Sequence, residues 1–436
     1  CGGGGGGGSG PQIATDWRSI QAADLSGAGS LVNNYQTAEY SNQAGLAQIN
    51  AANGYAALEK NNLNIAGDNV LIAVTDSGID ATHIDLNDNI NSTGHSTFGL
   101  SDQVLEDYHG THVAGIAAAE RNGIGTHGVA FNSKLTSVRV LGNNTDFNWV
   151  NTVLNSGAKI VNASWSYNPG FTNISEVQSL IAGSNEIVLL QAVGNNGAAQ
   201  PLYPARHAPQ AVLNGQMIAV GSVSSSNQIS SFSNRCGDAA NFCLVAPGEA
   251  INSTRPINNT AFVSGTSMST PHVAGAAAVL KGAWGYLSGA QIVQILLTSA
   301  SDLGAVGVDN IYGYGLLNLG AAVEAQGASK LAAGSTIISA GYNVNNSFLR
   351  ASTIFGDAFA NLAPALNQAV FFDDFGRHYQ ANLSANISQQ TTSTILHDLI
   401  SPAAQNRLNV LNRPNLNNYL DEDNFTPNKQ KLRLIT

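Results

Sequence analysis

The feature that most constrains the fold is a run of small residues that begins at Gly265 and leads into the alanine-rich segment Ala274–Leu280. Its length and composition predict a tight turn followed by a buried helix, with Ser267 in the first helical turn. Backbone N–H groups there have no intrahelical partner and the helix dipole is positive, so an oxyanion beside Ser267 would be stabilised. The stretch therefore suits a nucleophile. A serine that only caps the helix is the alternative, and this stretch alone leaves it open.

Two other stretches place polar side chains at the ends of apolar segments. The β-branched run Val70–Val74 precedes Asp76-Ser77-Gly78 and predicts a buried parallel strand that ends in a carboxylate and a glycine turn. Asp76 is then expected at the carboxyl edge of the sheet, where α/β folds place their sites. His109 opens His-Gly-Thr-His-Val-Ala-Gly, which predicts a second small-residue helix.

The order of these side chains along the chain points to nucleophilic catalysis. Asp76, His109 and Ser267 follow one of the known chain orders of Ser-His-Asp triads. The surrounding motifs, D-S-G-I-D, H-G-T-H-V-A-G and G-T-S-M-S-T-P-H-V-A-G, resemble the three signatures of the subtilisin-like serine proteases. The resemblance covers about residues 35 to 320, roughly two thirds of the chain. It implies an α/β fold of three layers, with a central, mostly parallel sheet flanked by helices.

The chemistry of the residue types agrees with that resemblance. A serine hydroxyl is a weak nucleophile, so Ser267 needs a general base, and His109 can take its proton near neutral pH. Asp76 would orient the imidazole and stabilise it when charged. His112 and His272 are the competing histidines, but both fall inside predicted small-residue helices and are interpreted as core residues.

The resemblance also assigns a substrate cleft. Asn195 follows an apolar strand and a glycine turn, and takes the place of the family's oxyanion-hole asparagine. The end of another predicted strand, Ala158–Ser166, resembles the family segment that pairs with the substrate backbone. The family usually has glycine where Ser166 stands, so this side chain is expected to narrow the entrance to the primary pocket. The implied substrate-binding residues are Ser164, Trp165, Ser166, Ala192, Gly194 and Thr266.

A structural calcium ion is a further implication of the resemblance. Asp85 and the loop Glu120–Thr126 resemble a family calcium site, and calcium takes six to eight oxygens from side chains and carbonyls. Tyr40 falls about where the family has another side-chain oxygen, and a loop closed by its own hydrogen bonds is an equal alternative. No cofactor is required for the chemistry itself. The candidate ligands are Asp85, Asn122, Ile124 and Thr126.

The cysteines bear on the cellular compartment. Cys236 and Cys243 bracket a loop, and this pair resembles the subtilisin-like passenger domains of Gram-negative autotransporters, which implies a disulfide; free buried thiols are the alternative. Cys1 is left over and precedes a glycine tether. We expect it to be lipidated, as in a bacterial lipoprotein that was processed and exported, whereas a linker left by cloning is the alternative. The expected location is the outer membrane or cell surface of a Gram-negative bacterium, or the medium after release.

Composition narrows the partners. Only 11% of residues are charged, and the net charge of −10 comes without a basic cluster, which argues against nucleic acid or an anionic membrane surface. No apolar run is long enough for a transmembrane helix, so membrane attachment would go through the lipid on Cys1 alone. We expect a monomer that binds polypeptide substrates in extended form against the cleft strands.

Three regions are expected along the chain. Residues 1–34 form a glycine-rich tether and N-terminal extension, residues 35–325 the catalytic domain, and residues 326–436 a C-terminal extension without an assigned role. The predicted function is a secreted or surface-anchored serine endopeptidase. The alternative is a catalytically silent, surface-anchored binding module on the same scaffold, which the filled catalytic positions disfavour.

Overall fold

The computed structural model describes the chain in separate segments. The predicted lipid anchor at Cys1 and its tether lie outside these segments. The chain divides into two compact units between Glu324 and Ala325, and each unit is described by itself. Among the described helices, none has the length and apolar character needed to cross a membrane. The described residues are 29–91, 107–141, 146–167, 172–328, 330–333, 336–339, 349–352, 369–381 and 387–390.

A six-stranded parallel sheet forms the centre of the first unit. Its strands are β1 (Leu71–Asp76), β2 (Lys134–Arg139), β3 (Ile160–Ala163), β4 (Val188–Ala192), β5 (Met217–Val223) and β6 (Cys243–Pro247). The spatial order is β2-β1-β3-β4-β5-β6, so the chain moves to one side of β1 and then crosses to the other. A crevice opens at the carboxyl ends of strands where the order reverses, which places a site at the ends of β1 and β3.

Helices surround this sheet. Because β3 to β6 are buried along their whole length, both faces of the sheet must be covered, as the continuous apolar runs predict. The helices are α1 (Gly29–Tyr35), α2 (Ala38–Asn42), α3 (Gly45–Gln48), α4 (Ala51–Lys60), α5 (His109–Ala118), α6 (Trp149–Ser156), α7 (Ser175–Ala182), α8 (Thr266–Ala283), α9 (Gly289–Thr298) and α10 (Leu319–Ala322).

The layers follow from the alternation of side chains along the strands. Val161 and Leu189 belong to one apolar cluster with Trp149 of α6 and Leu180 of α7. Neighbouring strand positions such as Leu190 point to the opposite face and are also fully buried, and α8 packs against β3 to β6 and against α5. The predicted three-layer α/β fold is therefore confirmed.

Short β structures complete both units. In the first unit, β7 (Ile251–Arg255) and β8 (Asn259–Val263) form an antiparallel hairpin. In the second, four strands are antiparallel in the order β10-β9-β12-β13, and β11 pairs with β14 in parallel. These strands are β9 (Lys330–Ala333), β10 (Thr336–Ser339), β11 (Leu349–Ser352), β12 (Ala369–Phe372), β13 (His378–Ala381) and β14 (Ile387–Gln390).

Candidate active site

Asp76 and His109 meet at the carboxyl edge of the sheet. Asp76 is the last residue of β1 and is fully buried, while His109 is the first residue of α5 with its side chain 27% exposed. The His109 Nδ1 atom lies 2.8 Å from Asp76 Oδ1, which also accepts a bond from the Ser77 N–H. Gly110 allows this approach, since a Cβ at that position would lie only 3.1 Å from Gly78 N and 3.2 Å from Asp76 Cβ.

The Asp76–His109 contact fixes the protonation pattern of the ring. A carboxylate can only accept, so Nδ1 carries the proton and Nε2 is left to act as a base. Burial lowers the pKa of His109, but the charge and hydrogen bond of Asp76, with the charge of Asp107, outweigh burial and raise the pKa overall. A raised pKa makes His109 a better proton acceptor.

Ser267 lies in the first turn of α8, whose N-cap is Gly265. Its Oγ donates to the Ser164 carbonyl at 3.0 Å, and the Ser164 hydroxyl donates back to the Ser267 carbonyl at 2.9 Å. That carbonyl is available because Pro271, four residues on, has no N–H to donate to it. The reciprocal bonds tie the start of α8 to the exit of β3. The Ser267 hydroxyl thus points to Ser164 in this rotamer, and a bond to His109 requires rotation of the side chain, as is common before substrate binds.

Asn195 follows β4 and faces the start of α8. Its Oδ1 accepts two bonds from Thr266, from the backbone N–H and from the hydroxyl, each at 2.9 Å. The amide nitrogen Nδ2 is therefore the free donor, and it lies 3.4 Å from the position that a Cβ on Gly265 would take. Thr266 is fully buried, so its polar groups orient Asn195. The Ser267 backbone nitrogen lies 3.7 Å from the same Cβ position, so both donors are close to Gly265 at the start of α8.

Asn234 supports the Asn195 loop, and sequence reasoning missed it. Its buried amide donates to the Val193 carbonyl at 3.0 Å and accepts from the N–H groups of Asn196 and Ala198 at 3.0 and 2.9 Å. Its own N–H donates to the carbonyl of Gly194 at 2.9 Å. Asn234 thus holds the backbone on both sides of Asn195. It is 38 residues away from Asn196 along the chain, so no local pattern could have shown the contact.

The other predicted cleft residues continue from β3 and β4. Ser164 and Ala192 are buried, whereas Trp165 and Ser166 are partly exposed. The Trp165 indole N–H donates to the Thr75 hydroxyl at 3.0 Å, and the ring meets Trp149 edge-on at 6.0 Å, so the indole is fixed in the wall of the cleft. A cavity of about 240 Å³ borders His109, and it is lined by Asp107, Tyr108, His109, His112, Val263 and Met268.

The competing histidines are core residues in the structure. His112 and His272 are fully buried. The His112 Nε2–H donates to the Ala261 carbonyl at 2.9 Å, and the His272 Nδ1–H donates to the Met268 carbonyl at 2.8 Å. Burial lowers the pKa of each ring to about 4, so both are neutral near pH 7. The structure brings neither of them into contact with Asp76.

The predicted calcium loop has features of both alternatives, a bound ion and a loop closed by its own hydrogen bonds. Glu39 closes the loop by accepting from the N–H groups of Asn122 and Gly123 at 2.8 and 2.7 Å, and the Asn122 side chain accepts from Ile124 N. Asp85 is buried, which raises its pKa. Asp85 Oδ1 and the hydroxyl of Thr126 are buried without a hydrogen-bond partner. Within the described ranges, no three His, Cys, Asp or Glu residues form a metal-binding group.

Cys236 and Cys243 form a disulfide, as predicted. Their Cα atoms are 5.7 Å apart, and both residues are buried. The bond joins the residue before a short 3₁₀ helix, Gly237–Phe242, to the first residue of β6. It thereby fixes the edge of the sheet that follows the Asn234 segment.

Comparison with known proteins assigns the arrangement to a family. The model of the subtilase family of peptidases matches residues 67–315. Subtilisin Savinase from Lederbergia lenta is 38% identical over 275 residues, which cover 60% of this chain and 94% of that protein. An alkaline protease from Alkalihalobacillus alcalophilus is also 38% identical, over 60% of this chain and 66% of the relative. An extracellular serine protease from Serratia marcescens is 28% identical over 67% of this chain and 34% of the relative.

The chain thus spans nearly the whole length of the Lederbergia protein, about two thirds of the Alkalihalobacillus protein and about one third of the Serratia protein. The matched region includes β1 to β6, α5 and α8, and it contains Asp76, His109, Asn195 and Ser267. The chain belongs to the subtilase family, and its first unit contains a subtilisin-like serine endopeptidase domain.

Proposed function

We propose that this protein is a serine endopeptidase that hydrolyses peptide bonds of polypeptides through an acyl-enzyme on Ser267. The observation that carries the proposal is the 2.8 Å contact between Asp76 and His109 at the sheet edge to which Ser267 is also tied through Ser164. Membership in the subtilase family supports the same reaction.

The proposed reaction begins with attack of Ser267 Oγ on the scissile carbonyl carbon. The hydroxyl proton moves to His109 Nε2, and Asp76 stabilises the imidazolium through Nδ1. The oxygen of the tetrahedral intermediate accepts bonds from Asn195 Nδ2 and from the Ser267 backbone N–H. His109 then gives the proton to the leaving amine as the C–N bond breaks.

Deacylation repeats these steps with water. The water oxygen attacks the ester carbon while His109 takes a proton from the water. His109 then returns the proton to Ser267 as the acyl–oxygen bond breaks. The products are a free amine and a carboxylic acid. We expect the substrate to lie in extended form along the exits of β3 and β4, where backbone groups give affinity for many sequences.

Substitutions in the triad test this proposal. Ser267→Ala, His109→Ala and Asp76→Asn should each lower the turnover of casein or a peptide anilide by several powers of ten, and their effects should not add, because the three groups act as one unit. His112→Gln is the matched control, since glutamine can keep the bond to the Ala261 carbonyl. If activity survives in the His109 variant and is lost in the folded His112 variant, the general base is His112 and the assignment of His109 is wrong.

Export is part of the proposal. The Serratia relative is named an extracellular serine protease, and the Cys236–Cys243 disulfide suits an oxidising compartment. Activity and protein found only in the cytoplasmic fraction of the source cells would contradict export. The lipid on Cys1 and the likeness to autotransporter passenger domains stay predictions; intact mass of the native protein tests the lipid, which would add the mass of its acyl chains.

We also propose a structural calcium ion beside Asp85. The donor set fits the ion in chemistry, because the unpartnered oxygens of Asp85 and Thr126 are hard ligands in a buried site with Glu39 nearby. The backbone carbonyls of Ile124 and Thr126 and the amide oxygen of Asn122 would complete the ligands. Calcium should raise the melting temperature of Ser267→Ala protein and chelator should lower it, whereas Asp85→Asn should remove both effects. A melting temperature that neither addition changes would overturn the site.

A further inference from the structure

We propose that Leu202 makes the primary specificity pocket shallow, so that the protease cleaves after small, uncharged side chains. This inference rests on the proposed function. It concerns the gap between the exits of β3 and β4. Because this gap opens beside Ser267, the residue that carries the attacked carbonyl would place its side chain there.

The walls of the gap are set by the point at which two paired strands separate. β3 and β4 are in register up to Ala163 and Gln191. Beyond that point the Val193 N–H donates to Val220 of β5 at 3.1 Å, while Ser164 turns toward Ser267. The gap therefore opens directly beside the nucleophile, with Ser164–Tyr167 on one side and Ala192–Asn195 on the other.

The floor of the gap is the segment Leu202–Tyr203. The Leu202 N–H donates to the Val193 carbonyl at 2.8 Å, and the Tyr203 carbonyl accepts from the Tyr167 N–H at 2.7 Å. One bond thus reaches each wall. Since both are backbone bonds, the position of this floor does not depend on which side chains it carries.

The Leu202 side chain occupies the bottom of the gap. Its Cδ1 and Cγ atoms lie 2.8 and 3.0 Å from the position that a Cβ on Gly194 would take, so the branched end of leucine fills the space that this glycine leaves. Leu202 is partly exposed, as expected for a residue that faces an open cleft. On the opposite wall, Ser166 is partly exposed and carries a side chain of its own.

These residues determine which side chains fit. Ser166, Gly194 and Leu202 carry no charge, so they offer no partner to a basic or acidic side chain. A large apolar side chain would have to displace the leucine, whose backbone is held at both ends of the floor. Glycine, alanine and serine meet neither obstacle, which makes them the expected residues before the scissile bond.

A set of peptide anilides that differ only in the residue before the anilide tests the inference. In the wild type, kcat/KM for alanine should exceed that for phenylalanine by about tenfold or more, the scale expected when a pocket lacks room for several carbon atoms. Leu202→Gly should lower this ratio by about tenfold through a gain on phenylalanine. Leu154→Ala is the matched control, because Leu154 is another partly exposed leucine, located in α6, and it should leave the ratio unchanged.

The possible outcomes separate this inference from the function on which it rests. A wild type that already prefers phenylalanine, leucine or arginine overturns the role of Leu202 and leaves the protease assignment intact. An unchanged ratio in Leu202→Gly, with Leu202→Ala as the second variant if the glycine variant does not fold, also overturns it. A folded wild type that hydrolyses none of the anilides and no casein overturns the proposed function and this inference with it.

Discussion

Three buried histidines should make this protein unstable in acid. His112, His127 and His272 have at most 1% of their surface exposed, and burial lowers the pKa of each to about 4. An unfolded histidine has a pKa of about 6.5. At a pH between these two pKa values, each of the three histidines binds a proton in the unfolded chain but not in the folded chain.

The sign and size of the effect follow from this difference. Stability rises with pH wherever the unfolded state binds more protons, so the free energy of unfolding should fall as the pH falls from about 6.5 to about 4. Between about pH 7 and about pH 5 each histidine should cost on the order of 2 kcal/mol, and the three together about 5–6 kcal/mol; Glu324, whose pKa is raised to about 7 by burial, acts in the opposite direction and offsets part of this loss. A typical domain has a total stability of about 5–15 kcal/mol, so the loss should be readily measured.

Urea unfolding of the Ser267→Ala protein, followed by circular dichroism from about pH 8 to about pH 5, measures this slope without autolysis. His112→Gln and His272→Asn can each keep the bond that the ring makes to a backbone carbonyl, at Ala261 and Met268 respectively. Each variant should remove about one third of the histidine contribution to the pH dependence, because one of three buried rings is removed. Measurements at the alkaline end give the cost of each substitution by itself. Equal stability at both ends of the range, or variants with the wild-type slope, would refute the reasoning.

Three further predictions concern catalysis. Asn195→Ala should lower kcat by about 10²–10³ with little change in KM, which is the effect of losing one oxyanion-hole donor in a subtilisin and is taken over from that relative; an unchanged kcat would remove Asn195 from the site. Asn234→Ala should also lower kcat, and the double variant with Asn195→Ala should be little slower than Asn195→Ala alone, because Asn234 acts through the Asn195 loop; strictly additive losses would make Asn234 a stability residue only. Because His109 must be neutral to act as a base, kcat/KM should rise with pH through a pKa above the ordinary value for histidine, and Asp76→Asn should move that pKa down; a wild-type profile that is flat above about pH 5 would contradict this role.

The positions of the proposed catalytic side chains could be predicted from sequence because each one lies at the end of an element with a strong local pattern. The apolar run of β1 ends at Asp76, α5 begins at His109, and the small-residue helix α8 begins at Thr266, next to Ser267. In each case the apolar or small-residue pattern that predicts the element begins or ends beside the polar residue. The fold follows from the same runs, since continuously apolar strands require helices on both faces.

The supports of the site could not be predicted, because they depend on contacts between distant parts of the chain. Glu39 accepts from Asn122 across 83 residues, and Asn234 reaches Asn196 across 38. Leu202 follows a turn with no periodic pattern of its own, and its proposed role rests on its contact with Gly194, which lies eight residues earlier. A single polar or apolar residue in a loop has no spacing from which a partner can be inferred.

Covalent labelling with a fluorophosphonate probe tests the central claim most directly. The Ser267 Oγ atom should form a bond to phosphorus as fluoride leaves and the hydroxyl proton passes to His109, and peptide mass spectrometry should find one probe per chain, on the peptide that contains Ser267. Labelling should be lost in Ser267→Ala and fall by several powers of ten in His109→Ala, but persist in His112→Gln. Folded wild-type protein that takes up no probe, or that takes it up at another residue, would contradict the account.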